Sequence, residues 1–179
     1  STYKQSRRLM GIRMVLSRFK KLFEGLMKSL VTPLHNLGVK PNTLTVMGLI
    51  LSAASAVLIY MHRLLLELLY PSAILIILSG LCDALDGVMA RAFGEESAFG
   101  GFLDSLLDRY GDTFVICSII LSDLCDPMWG VAALVGSLLV SYARARGESL
   151  GVQMVSVGVG ERAERLILLS TATLLEPLL

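Results

Sequence analysis

The sequence predicts an all-α integral membrane protein, in which an N-terminal amphipathic helix precedes a bundle of five transmembrane helices. The 179 residues are 54% hydrophobic with a mean hydropathy of +0.69, which is too apolar for an ordinary soluble domain. Apolar stretches long enough to cross a bilayer recur along the chain. Residues 1–29 carry eight Lys or Arg against one acid, so positive charge is concentrated at the N-terminus.

The basic N-terminal segment predicts a helix that lies on the membrane surface. Over residues 6–35, apolar residues form one broad side and basic residues fill the rest, which favours the plane of an anionic leaflet. The alternative is a basic soluble helix or a disordered tail. We therefore divide the chain into a juxtamembrane helix at 1–36 and a transmembrane domain at 37–179. No cleavable signal peptide is expected, because no short apolar core is followed by small residues.

Five membrane spans are expected after this helix. Pro41 suits a turn or the first position of a helix, and Asn42 or Thr43 is expected to cap that helix. The links between spans are short, apart from a loop rich in Gly and Val at 151–160. The spans are expected at about 43–61, 69–91, 100–121, 128–142 and from 161 to beyond 174.

The distribution of basic residues predicts the orientation of the bundle. With the N-terminus in the cytoplasm, five spans place the turn at Arg91 and the loop between Arg144 and Arg165 on the same side. The link at 122–127 falls outside, and its charged residues are both acidic. We therefore expect a multi-pass protein of the cell membrane, with its N-terminus and functional site facing the cytoplasm.

Four aspartates stand among apolar flanks between Cys82 and Asp112, where an unpaired charge is costly. Asp83 and Asp86 are three residues apart, and Asp104 and Asp108 are four apart, so each pair projects from one face of its own helix. A short turn between the helices can bring the pairs together, where they would repel strongly. One or two divalent cations would offset this, and hard oxygen ligands favour Mg²⁺ or Mn²⁺ over zinc. The alternative is helix caps and salt bridges of a soluble bundle.

Two residues beside these acids also suit a ligand site. Gly87 allows a ligand or a neighbouring helix to approach the backbone closely, although small-residue helix packing in lipid is the plainer interpretation. Arg91 can bind phosphate oxygens with its planar guanidinium, and the alternative is an interfacial arginine.

The complete pattern is D-x-x-D-G-x-x-A-R-x(8)-G-x-x-x-D-x-x-x-D, and it resembles the signature of the CDP-alcohol phosphotransferases, which make phospholipids. The resemblance implies that Asp83, Asp86, Asp104 and Asp108 hold two metal ions, and that Asp108 deprotonates the attacking hydroxyl. It also implies a homodimer, six transmembrane helices where five are counted here, and a CDP-linked lipid as donor. The residues expected to hold that lipid are Lys40, Pro41, Asn42, Thr43, Asp83, Gly87, Arg91 and Ser97.

Two basic clusters lie beyond the motif, at Arg144 and Arg146 and at Arg162 and Arg165. Several arginines facing one pocket suit a phosphorylated acceptor, and residues that only set membrane topology are the alternative. The arrangement SYARARGES followed by ERAERLI resembles the branch of phosphatidylinositol phosphate and archaetidylinositol phosphate synthases. In that resemblance, Arg144 and Arg165 match positions that bind the acceptor phosphate.

The leading hypothesis is a membrane enzyme that transfers a phosphatidyl or archaetidyl group from a CDP-linked lipid to inositol 1-phosphate and releases CMP. Glycerol 3-phosphate, another phosphorylated polyol, is an alternative acceptor for the same chemistry. A cation transporter would use the acids as its pathway, but it would not need Gly87, Arg91 and Gly100 at these intervals. A structural scaffold leaves the acids unexplained. The anionic membrane is an expected partner, and nucleic acid is not.

Overall fold

The computed structural model describes residues 25–152 and 162–178, and these residues form a helical bundle, which confirms the predicted all-α fold class. Short 3₁₀ turns at Leu66–Leu68 and Glu176–Leu178 accompany the longer helices. Residues 6–24 of the predicted surface helix and most of the loop at 151–160 lie outside the described residues. The α-helices are α1 at 25–36, α2 at Pro41–Met61, α3 at Leu69–Phe93, α4 at Ala98–Leu121, α5 at Pro127–Ser149 and α6 at Arg162–Leu175.

Helix α2 begins at Pro41, because the fixed φ angle of proline suits the first position of a helix. The expectation that Asn42 or Thr43 caps this helix is wrong. Lys40 occupies the cap position and makes no capping side-chain hydrogen bond, because a proline at the first helical position moves the cap one residue upstream.

The turn between α3 and α4 is short and well determined by its sequence. Helix α3 ends at Gly94, whose φ of 68° is left-handed and therefore suits glycine. Helix α4 begins after Ser97, whose hydroxyl oxygen accepts a hydrogen bond of 2.9 Å from the backbone N–H of Gly100. This turn brings the end of α3, with its acid pair, next to the start of α4.

Helix α2 packs against both α3 and α4, while α6 packs against α3 and α5 lies along α4. Small residues allow the close approach of α2, α3 and α4. Ser52 of α2 and Ser79 of α3 share a hydrogen bond of 2.7 Å between their hydroxyl oxygens. A Cβ added to Gly111 of α4 would lie only 3.0 Å from the Ser52 hydroxyl oxygen. These three helices therefore form the tightly packed frame that fixes the acids.

Helix α1 docks where α2 begins and α3 ends. The ring of His35 stacks on Phe93 with centroids 3.8 Å apart, and its Nε2 lies 3.1 Å from Glu95 Oε1. The apolar core between α1 and the helices it contacts consists of Met27, Val31, Leu44, Leu85 and Met89. A second core, farther along the bundle, consists of Ile59, Leu69, Ile76, Val115 and Leu166.

Three helices in the described part of the chain are long and apolar enough to cross a membrane, namely Pro41–Met61, Leu66–Phe93 and Pro127–Ser149. The other two expected spans are also helices, α4 and α6, but they do not meet that measure. Helix α4 carries the charged residues Asp104, Asp108, Arg109 and Asp112, and α6 has only 14 residues. Counting apolar residues alone would therefore miss the helix that carries half of the acid motif.

Candidate metal and substrate site

The helical frame brings together three of the four motif aspartates. Asp83 of α3 and Asp104 and Asp108 of α4 each offer one carboxylate oxygen, and these oxygens all lie within 4.8 Å of one another. We call these three residues the acidic cluster. The Oδ1 atom of Asp104 is buried and has no hydrogen-bond partner among the described residues. A buried, unsatisfied carboxylate oxygen within a set of hard oxygen donors fits a hard divalent cation.

The fourth aspartate, Asp86, lies next to the acidic cluster and makes a different contact. Its side chain is buried, and its Oδ2 accepts a hydrogen bond of 2.6 Å from the hydroxyl of Thr45 on α2. The sequence reasoning did not single out Thr45. The available signal was its position one helical turn after Pro41, on the same face of α2. Asp86 is therefore oriented by α2, whereas the acidic cluster is built by α3 and α4.

A cavity of about 210 Å³ opens beside Asp86 and Asp104, between the start of α2, the end of α3 and the start of α4. We call it the α3–α4 cavity. Five of the eight predicted donor-binding residues line it, whereas Lys40, Thr43 and Asp83 do not. Asp83 instead faces the narrow space between α2, α3 and α4. The five lining residues are Pro41, Asn42, Gly87, Arg91 and Ser97.

Two motif glycines leave room for polar side chains at this cavity. A Cβ added to Gly87 would lie 3.3 Å from Arg91 Nη1, so the guanidinium lies back over the glycine. A Cβ added to Gly100 would lie 3.2 Å from Asn42 Oδ1 and 3.0 Å from Ser97 Oγ. Side chains at these positions would crowd the groups that face the cavity.

A second cavity, of about 170 Å³, opens on the other side of Asp108. We call it the α4–α6 cavity. Three of the four predicted acceptor arginines line it, namely Arg144, Arg162 and Arg165. Arg146 does not. Its Nη1 instead lies 3.5 Å from Ser149 Oγ on its own helix. A cavity with this much positive charge suits a dianionic phosphate group.

Ion pairs connect the α4–α6 cavity to the acidic cluster. Arg162 Nη1 lies 2.9 Å from Asp83 Oδ2 and 2.7 Å from Asp108 Oδ1. Arg165 Nη2 donates a hydrogen bond of 2.7 Å to Asp112 Oδ2. Asp112 is almost completely buried, and its Oδ1 lies 3.6 Å from Arg162 Nε. The two α6 arginines therefore face three carboxylates, Asp83, Asp108 and Asp112, which would otherwise repel one another where the dielectric is low.

Sequence reasoning missed two further residues of this cavity, Asp112 and Arg109. Asp112 follows Asp108 by four residues, so the spacing alone places it on the same face of α4. Arg109 donates hydrogen bonds to the carbonyl oxygens of Ser105 and of Ser141, the latter on α5 at 3.3 Å. Its position beside Asp108 gave a weaker signal, because neighbouring helical residues point in different directions.

The chain is similar in sequence to proteins of a known family. The profile described as CDP-alcohol phosphatidyltransferase matches residues 39–176. The chain is 35% identical over 162 residues to archaetidylinositol phosphate synthase of Pyrococcus horikoshii, covering 89% of this chain and 82% of the relative. It is 31% identical over 159 residues to phosphatidylinositol phosphate synthase of Cutibacterium acnes, covering 86% of this chain and 74% of that one.

Solved structures share the fold as well. Phosphatidylinositol phosphate synthase of Mycobacterium tuberculosis, in complex with manganese and citrate, superposes with a TM-score of 0.71 at 31% identity. That match covers 84% of this chain and 73% of the solved chain. The same synthase with CDP-DAG bound gives a TM-score of 0.68 at 30% identity, over 86% and 76% of the two chains. The matched profile spans α2 to α6 with both acid pairs, and the chain therefore belongs to the CDP-alcohol phosphatidyltransferase family.

Proposed function

We propose that this protein transfers a phosphatidyl or archaetidyl group from a CDP-linked lipid to inositol 1-phosphate, with release of CMP. The observation that carries the proposal is the pair of cavities on either side of the acidic cluster. One contains the motif residues Gly87 and Arg91, and the other is lined by arginines. A donor and a phosphorylated acceptor bound in these two cavities would meet at Asp108. The names of the two relatives and of the solved synthase support the same acceptor.

The acidic cluster would hold Mg²⁺ or Mn²⁺, with Asp86 adjacent to it, and we propose two ions. Bound there, divalent ions neutralise charge on the pyrophosphate and on the departing CMP. Manganese in the solved synthase supports a divalent ion.

The α3–α4 cavity would bind the CDP portion of the donor. Arg91 would contact phosphate oxygens with its guanidinium, and the N-terminus of α4 after Ser97 offers backbone N–H groups that favour an anion. Pro41 and Asn42 would form the wall opposite. Lys40, Thr43 and Asp83 remain predicted donor contacts.

The α4–α6 cavity would bind the phosphate of the acceptor through Arg144, Arg165 and Arg162, with Arg109 beside them. Arg146 remains a predicted contact. The acceptor hydroxyl oxygen attacks the lipid-side phosphorus, and its proton passes to Asp108. The bond from that phosphorus to the bridging oxygen breaks, and CMP leaves with the electron pair.

We also propose that the site faces the cytoplasm and that the protein is a homodimer. Both cavities lie at the same end of the bundle. The basic residues at that end favour a cytoplasmic orientation. The family resemblance supports the dimer.

Purified protein incubated with a CDP-linked lipid and a panel of acceptors tests the proposal. We expect CMP release with inositol 1-phosphate, and little with inositol or glycerol, because neither carries the phosphate that the arginines recognise. Glycerol 3-phosphate is the informative competitor, since it carries a phosphate on a smaller polyol. CMP release with glycerol 3-phosphate but not inositol 1-phosphate would overturn the acceptor assignment.

The role of Asp108 has its own test. Asp108→Asn should reduce turnover by about a thousandfold or more, because an amide cannot accept the hydroxyl proton. Binding of the CDP-lipid should change little. The matched control is Asp126→Asn, which lies in the link before α5, where its side chain caps that helix. If the Asp108→Asn protein remains active, Asp108 is not the base.

A further inference from the structure

We propose that Arg162 competes with a divalent ion for the acidic cluster, and that ion binding moves its guanidinium toward Asp112 and the α4–α6 cavity. Arg162 would then add its charge to the acceptor-phosphate site only once the ion is bound. This inference rests on the proposed function, because it assigns an order to the binding of that site's ligands.

The position of Arg162 is the first support. Its Nη1 contacts carboxylate oxygens of two members of the acidic cluster, Asp83 at 2.9 Å and Asp108 at 2.7 Å. The side chain is only 14% exposed, so these contacts are little screened by solvent. Arg162 also lines both the α4–α6 cavity and the narrow space that contains the acidic cluster.

The guanidinium of Arg162 and a divalent ion disfavour each other at this position for electrostatic reasons. An ion bound by oxygens of Asp83, Asp104 and Asp108 would add a second positive charge beside Nη1. Like charges a few ångströms apart repel strongly where the dielectric is low. Asp83 and Asp108, whose carboxylates contact the guanidinium, are also two of the three residues that would bind a divalent ion. One cation therefore weakens the binding of the other.

Asp112 supplies a place for the displaced guanidinium. Arg162 Nε lies 3.6 Å from Asp112 Oδ1, which is beyond hydrogen-bond length. Both atoms are buried without a hydrogen-bond partner in the described part of the chain. A small movement of the Arg162 side chain would close this contact and satisfy both groups. The second oxygen of Asp112 already binds Arg165, so both arginines would then be held side by side.

Binding at the two sites is linked by this exchange. If the ion increases affinity for the acceptor phosphate, then the phosphate must increase affinity for the ion by the same factor. The consequence is an ordered site, in which the phosphorylated acceptor binds most tightly after the ion.

The decisive measurement is the Mn²⁺ affinity of the purified protein, determined from the electron paramagnetic resonance signal of free Mn²⁺. Arg162→Gln should lower the dissociation constant of Mn²⁺ by about tenfold, because a competing charge is removed. The matched control is Arg63→Gln. Arg63 is another arginine paired with an aspartate, Asp123, and its variant should stay within about twofold of the wild type. Weaker or unchanged Mn²⁺ binding in Arg162→Gln would overturn the proposal. If Arg162 only positioned the aspartates, its removal would weaken Mn²⁺ binding and not strengthen it.

A second variant covers the case in which Arg162→Gln does not fold. Arg162→Lys keeps the charge but loses the planar fork, so it should still lower the Mn²⁺ dissociation constant, by about threefold. Arg165→Lys should not, since the ion pair that the described residues show for Arg165 is with Asp112, which is not a member of the acidic cluster. Equal effects of the two lysine variants would contradict the exchange.

The linkage is measured with inositol 1-phosphate as the probe. Mn²⁺ should increase the affinity of the wild-type protein for this compound, and Arg162→Gln should reduce that factor at least about threefold. An undiminished factor would show that the ion acts without Arg162. CMP release by the wild-type protein is assayed separately, so failure of the proposed reaction and failure of the exchange give different results.

Discussion

At the scale of single residues, Asp112 is the carboxylate on which the two α6 arginines converge, and it lines the α4–α6 cavity but not the α3–α4 cavity. Asp112→Asn removes the negative charge that holds Arg165 in place. We therefore expect the KM for inositol 1-phosphate to rise about tenfold, which is the usual effect of losing one charge-assisted hydrogen bond. The KM for the CDP-lipid should stay nearly constant. Steady-state kinetics with each substrate varied in turn make this measurement.

A purely structural role for Asp112 would give a different result. It would lower the yield of folded protein and alter both KM values together. Asp112→Glu, which restores the charge on a longer side chain, should recover part of the acceptor affinity. If it recovers none while the protein is folded, the positioning role is wrong.

The sequence could predict residues whose partners lie on the same helix or across the short turn between α3 and α4, but not those whose partners are more distant in sequence. The spacing of Asp104 and Asp108 placed both in the acidic cluster, because one helical turn fixes their common direction. The contact between Asp112 and Arg165 joins residues 53 positions apart. The contact between Thr45 and Asp86 joins residues 41 positions apart. Such pairs depend on how helices rotate and slide against one another, which local spacing does not determine.

At the scale of helices, Gly111 marks the closest approach between α4 and α2. A Cβ there would lie 3.0 Å from Ser52 Oγ and 3.2 Å from Ser52 Cβ. Ser52 is fully buried and is held by its hydrogen bond to Ser79, so it cannot easily move aside. Gly111→Ala should therefore destabilise the protein by about 1–3 kcal/mol, the usual cost of overpacking, and lower its thermal unfolding midpoint in detergent.

Gly136→Ala on α5 is the matched control for this substitution. Among the described residues, no atom outside the local helix backbone lies within 4 Å of a Cβ at Gly136, and alanine favours a helix over glycine. Its midpoint should stay the same or rise. If both variants behave alike, α2 and α4 are not in the close contact described.

The helices also show where apolar patterning is informative and where it is not. The long apolar runs correctly predicted α2, α3 and α5 as candidate spans. Helix α4 was also predicted as a span, but Asp104, Asp108, Arg109 and Asp112 lower its hydropathy, and it does not meet the same measure. The charged residues that give α4 its proposed function are therefore the same residues that lower its mean hydropathy below that of a typical membrane span.

At the scale of the whole molecule, charge separates the two ends of the bundle. The end with both cavities contains Arg91, Arg144, Arg162 and Arg165. At the other end, Arg63 pairs with Asp123, and Glu67 and Asp126 add negative charge there. Basic residues are retained on the cytoplasmic side, and a phosphorylated polyol is a water-soluble substrate. Both considerations support the proposed location of the cavities at the cytoplasmic surface.

Cysteine labelling tests this orientation in intact cells. In a protein whose Cys82, Cys117 and Cys125 are replaced by serine, Glu96→Cys reports on the cavity end and Leu64→Cys on the opposite end. Leu64 is 79% exposed, and Glu96 is also exposed, so a thiol at either position should react readily. A membrane-impermeant maleimide should label Leu64→Cys in intact cells and Glu96→Cys only after permeabilisation. The cysteine-free parent must retain CMP release for the comparison to hold. Labelling in the reverse order would mean that the acceptor reaches the α4–α6 cavity from outside the cell, which contradicts the proposed orientation.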